Sequence, residues 1–183
     1  MTNANNCSAG KPAIGGSIYR APLGTTLPTD AKAVLDAGFV SLGYISEDGL
    51  KNSNSPSAEN KKAWGGDTIL VVQTEKPDEF SFKMVEALNV DVLKSVYGTS
   101  RVTGDIDSGI TVVASSDMAE KSSYVVDMIM ANNVVKRIVI PQATMKSLEE
   151  ITYSDSDAIG YGVTLSATPD ETGATHYEYI VKK

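Results

Sequence analysis

Residues 124–140 read YVVDMIMANNVVKRIVI. Two apolar, β-branched runs, Tyr124–Met130 and Val134–Ile140, stand either side of Asn132 and Asn133. Such runs favour strands, and asparagine accepts the positive φ of a tight hairpin turn. The stretch therefore predicts an antiparallel hairpin, with Pro141 closing its second strand. Downstream, residues 143–148 read as a further strand near a sheet edge. Tyr161–Ala167 and His176–Val181 read as a last hairpin around Pro169, Asp170 and Gly173. Upstream, Ile110–Ala114 is a strand, and Phe80, Phe82 and Met84 alternate with Ser81 and Lys83 as another. Pro77-Asp78 reads as the turn between that strand and an apolar one over Thr68–Gln73. Glu59–Trp64 and Phe39–Ile45 are also strand-like.

Two helical signals interrupt this pattern. Asn89 suits an N-cap, Asp91 sits in the first turn, and Gly98 suits a C-terminal stop. Val92, Val96 and either Leu88 or Leu93 then form the apolar stripe. Asp30 is expected to cap one or two helical turns over Ala31–Asp36, ended by Gly38. The sum is a mainly-β chain with one clear α-helix: two packed antiparallel sheets, a β-sandwich or barrel, with the helix on one side.

The chain has 183 residues, of which 42% are hydrophobic, enough for one core. Residues 1–24 read as a flexible N-terminal arm, because 1–16 hold almost no large apolar side chains. Residues 25–183 form the domain, with a long polar loop at 47–66 that has little apolar content beside Trp64. A net charge of −7 opposes non-specific binding to nucleic acid, which needs clustered cations. The start, MTNANNCSAGKPAIGG, has no apolar run of signal-peptide length, and no segment is long and apolar enough to span a bilayer. Synthesis in a reducing cytoplasm is expected.

No motif assembles a catalytic set. Cys7 and His176 are the one cysteine and one histidine, and a Ser-His-Asp or Cys-His arrangement would have to use His176, expected mid-strand and half exposed. Asp105 and Asp107 begin like a calcium loop. Gly109 stands where a third oxygen ligand belongs, and Ser116 where the closing glutamate belongs. Asp155 and Asp157 read as another turn. Gly160-Tyr161-Gly162 lacks the remainder of a dinucleotide fingerprint. Lys61 and Lys62 beside Trp64 could stack on a base or sugar, but suit a subunit contact better. No cofactor, metal site or enzymatic activity is expected.

Several stretches carry a family resemblance: PLGTTLPTDA at 22–31 with LDAGFVSLGYISEDGL at 35–50, the hairpin YVVDMIM…NVVKRIVIPQA, YSDSDAIGY at 153–161, and THYEYI at 175–180. In this order they resemble the major tail tube proteins of long-tailed bacteriophages. The resemblance implies a structural virion protein, made in the host cytoplasm and located in the tail. It implies hexameric rings, inner strands joined across subunits into one barrel, and rings stacked head to tail around a lumen for DNA. Its partners would be further copies of the chain, a tape measure protein, a tail terminator and distal tail proteins, with no membrane. Within that frame the candidate assembly residues are Ile18, Tyr19 and Leu23 of the arm, and Glu47, Asp48, Lys61, Lys62 and Trp64 of the loop 47–66, which is expected to act between rings. The inner tube of a contractile tail or type VI system remains open, as does a glycan- or receptor-binding β-sandwich module.

Overall fold

A computed structural model describes residues 2–13 and 16–183. The strands run along the chain as β1 (Lys11–Pro12), β2 (Ile18–Pro22), β3 (Val40–Ser41), β4 (Lys51–Asn54), β5 (Ser57–Lys62), β6 (Thr68–Glu75) and β7 (Asp78–Met84). Helix α1 (Val90–Tyr97) follows, then β8 (Val102–Thr103), β9 (Thr111–Val112), β10 (Ser122–Met130), β11 (Val134–Leu148), β12 (Tyr161–Ala167) and β13 (Tyr177–Lys182). Every pairing among them is antiparallel. The mainly-β, one-helix reading therefore holds.

The hydrogen bonding joins what the sequence divides into two sheets. The main sheet runs β3-β2-β10-β11-β12-β7-β4, with β13 also on β11 and β1 also on β10. The segment around residues 40–46 bonds to both ends of this order. Val40 and Ser41 pair with β2, and Leu42 donates to Ile18. Three residues later Ile45 bridges to Met84, and Ser46 donates to Lys83. The sheet thus closes on itself as a barrel does, which removes part of its free edge. Gly43, at φ 67, is the corner that lets one short segment serve both ends. That corner is why Phe39–Ile45 is not one continuous strand.

Side chains from both ends of the sheet meet in one core. Ile18, Phe80, Phe82, Met84, Tyr124, Val126, Ile138, Ile140, Val163 and Leu165 are all buried there. Helix α1 adds Val92 and Leu93, while Leu88 is exposed, so Leu93 completes the stripe. Asn89 accepts from the Asp91 amide at 3.0 Å, and Gly98 closes the helix at φ 102. The central strands are buried on the opposite face as well. Val125 lies opposite Val139, and Asp127 opposite Arg137. The turn of this hairpin uses Asn132 and Asn133 at φ 58 and 60.

Five local readings change. The expected turns of helix over Ala31–Asp36 are bends. The Asp30 carboxylate takes the amides of Lys32 and Ala33, while the carbonyls of Asp30 and Ala33 are taken by the Arg137 guanidinium rather than by a helical ladder. Pro141 does not end its strand, since β11 runs on to Leu148. It lies at a register shift opposite Ser123, whose hydroxyl donates to the Pro141 carbonyl, so no ladder bond needs its missing N–H. The last two strands do not form a hairpin. β12 pairs with the distal part of β11, and β13 with the proximal part. Their connection folds around Asp170, which accepts from the Thr172 and Ala174 amides and from the Tyr177 hydroxyl at 2.7 Å. Led by that hydroxyl and by Thr172, these bonds lower its pKa to about 2. Pro77-Asp78 is not a reversal either: the chain passes straight on from β6 into β7. Finally, residues 18–22 of the expected arm are β2, paired with β10.

Candidate assembly surface

β4 and β5 run out from the body and β6 and β7 run back, forming one long ribbon. Its root belongs to the main sheet, where Asn54 faces Asp78. Its outer part, β5–β6, is a separate two-stranded sheet. The join carries Pro56 on one side and Pro77 on the other. Neither can donate a ladder bond, so pairing stops there and resumes with Ser57 opposite Glu75.

Every residue of β5 and of β6 is exposed. This includes Ile69, Leu70, Val71 and Val72, a run that the sequence alone marks as a strand but not as an uncovered one. A two-stranded hairpin is marginal in water, and an apolar strand open on both faces is a docking or aggregation surface. At the tip, Ala63 donates to Asp67 and Gly66 donates to Ala63. Gly65 and Gly66 take φ 112 and 101 in this turn. Trp64 is fully exposed on it, at 106% of its reference area.

The root is held by polar contacts that sequence reading misses. Asp78 is 2% exposed. Its carboxylate accepts from Asn52 Nδ2 at 2.8 Å and Thr175 Oγ1 at 2.6 Å, and it lies 2.5 Å from His176 Nδ1. Burial pushes this carboxyl up, but the hydrogen bonds from Thr175, Asn52 and His176, together with the His176 charge, outweigh it and hold the pKa below the ordinary value. His176 also stands edge-on to Phe80, with ring centroids 5.3 Å apart. It precedes β13 instead of sitting mid-strand, and its side chain is 18% exposed. The cluster ties the root of the ribbon to the chain just before β13. Its one sequence signal is the lone histidine, since nothing in spacing links residues 52, 78 and 176.

The structure separates the residues that the sequence groups as an assembly surface. Ile18 is buried in the core and cannot reach a neighbour without opening it. Tyr19 is half-buried, its hydroxyl donating to the Gly16 carbonyl at 3.2 Å. Leu23 is half exposed just beyond β2. Glu47 and Asp48 are exposed in the turn closed by the Gly49 amide on Ser46. Lys61, Lys62 and Trp64 share the outer end of the hairpin, with Lys61 paired to Glu59 at 2.7 Å. Met1, Ile14 and Gly15 of the expected arm lie outside the described residues.

The Asp105 carboxylate is occupied by its own loop, accepting the Ser108 amide, the Ser108 hydroxyl and the Asp107 amide. Among the described residues no three His, Cys, Asp or Glu side chains come together to hold a metal ion. No helix among them is long and apolar enough to cross a membrane. A family model described as "Phage tail tube protein" matches residues 2–183. A search of curated proteins returned no match.

Proposed function

Because this chain belongs to the phage tail tube protein family and is thus a structural, non-enzymatic component of the tail, we propose that its hairpin β5–β6 is the arm by which one copy grips the next in the growing tube. The observation that carries this reading is the exposure of Ile69 to Val72. Burying one such side chain contributes roughly 1.5–3 kcal/mol. Four of them in water, on a hairpin with no further layer against it, are a cost to the monomer that a neighbouring subunit removes.

The finer arrangement follows from the same logic. Copies join in closed rings, hexameric by family resemblance, and the rings stack around a lumen through which DNA passes without specific binding. An acidic chain suits that passage, because phosphates are repelled rather than held. A tape measure protein, a tail terminator and distal tail proteins would meet the tube inside and at its ends. The remaining open edges, the outer side of β13 among them, are available to strands of a neighbour in the ring.

Electron microscopy of the purified chain at rising concentration tests the proposal. Rods with a central channel are expected. Monomers alone, at high concentration and in the presence of a tail initiation complex, would overturn it.

A further inference from the structure

A groove of about 820 Å³ opens beside the barrel seam, between the corner at Gly43 and residues 126–128 of β10, where β1 and β2 meet that strand. Ile45, Leu50, Val126 and Met128 give it an apolar lining. Lys11 is the cation on that lining, and Glu47, Glu86 and Asp127 are the anions. Asp127 is neutralised by Arg137, whose Nε and Nη2 reach its two oxygens at 2.6 and 2.8 Å. Glu86 is engaged with the Tyr44 amide and the Asn89 side chain. Glu47 is exposed at the rim with Asp48 beside it. The Ser46 hydroxyl, also on the lining, is buried and has no hydrogen-bond partner among the described residues.

The hairpin tip has the complementary properties. Trp64 is a fully exposed aromatic, a residue type that dominates interface energetics when it enters a desolvated pocket. Its indole N–H needs an acceptor once buried, and the exposed Glu47 carboxylate at the rim is one. Lys62 brings positive charge to meet Glu47 and Asp48, while Lys61 is held by Glu59. Resting on the tube reading above, we infer that the groove of one copy receives the Trp64 tip of a second copy. The two patches differ, so the contact is head-to-tail and each copy keeps a free tip and a free groove for the next.

Two readouts test this on the full chain. Trp64 is the sole tryptophan, so its emission reports its own surroundings. A blue shift that tracks tube formation is expected, and tubes that form with emission unchanged would overturn the groove while leaving the tube reading intact. Charge reversal then locates the contact. Lys62→Glu alone and Glu47→Lys alone are each expected to raise the critical concentration for tubes about tenfold. The double variant is expected to return to about twofold of the parent. If the double variant is as poor as the product of the singles, or if neither single has an effect, the pairing is wrong. If the parent chain forms no tubes, the reading beneath it fails as well.

Discussion

Excising residues 55–77 and joining Asn54 to Asp78 through Asn-Gly separates the two parts of the ribbon. Asn54 and Asp78 face each other across β4 and β7, so a two-residue turn can close them without changing register. Every residue of β5 and β6 is exposed, so the body loses no buried surface. The expected change in unfolding free energy is within about 1 kcal/mol, or roughly 2–4 °C in Tm for a chain of this size. Were Ile69, Leu70, Val71 and Val72 packed on the body, their loss would cost roughly 6–12 kcal/mol, comparable to the whole stability of a domain. Urea unfolding followed by far-ultraviolet circular dichroism distinguishes these outcomes by a wide margin. Sedimentation of the same variant should show monomers at concentrations where the parent forms tubes. A variant that loses cooperative unfolding refutes the separation of arm from body. Tubes at the parent's critical concentration refute the docking role.

Three further outcomes are expected. Arg137→Met should cost about 3–5 kcal/mol in urea unfolding, since it strands the Asp127 carboxylate and leaves the Asp30 and Ala33 carbonyls without their donor. The Asp78 carboxyl is held below its ordinary value, so the stability it contributes is present above pH about 4 and is lost as pH falls through its folded pKa. Asp78→Asn should therefore be less stable than the parent at pH 7, with the gap narrowing at pH about 3 in paired urea titrations. Asn133 holds φ 60, so Asn133→Val should lower stability by about 1–2 kcal/mol in thermal unfolding, whereas Asn133→Gly should stay within roughly 0.5 kcal/mol.

Local chemistry made some elements legible and left others hidden. The Asn132-Asn133 turn and the Asn89 cap depend on residues within a few positions, so sequence reading finds them. The alternation of Phe80, Phe82 and Met84 reads as a strand because its inward face is covered by the core. The run Thr68–Gln73 reads equally well as a strand, but β-propensity carries no information about whether another layer lies on it. Pro141 misled because a proline ends a strand only where its N–H is required, and the register shift opposite Ser123, 18 positions earlier in the chain, removes that requirement. The Asp78 cluster joins residues up to 98 positions apart, beyond any local signal. Trp64 and its lysines stand exposed, as the polar stretch around them suggests, whereas the burial of Ile18 became visible once β2 was seen against β10.

The pairing of β2 with β10 also sets an order of events. It brings Arg20 to Ser122, 102 positions away, while the ribbon from β4 to β7 closes over a short span. Loop-closure entropy makes distant pairings the slow ones. The ribbon therefore forms early, and its sticky outer part is on display while the barrel is still incomplete. Mutual repulsion from a net charge of −7 opposes association through that part, so low-salt refolding should yield monomers where high-salt refolding yields aggregate.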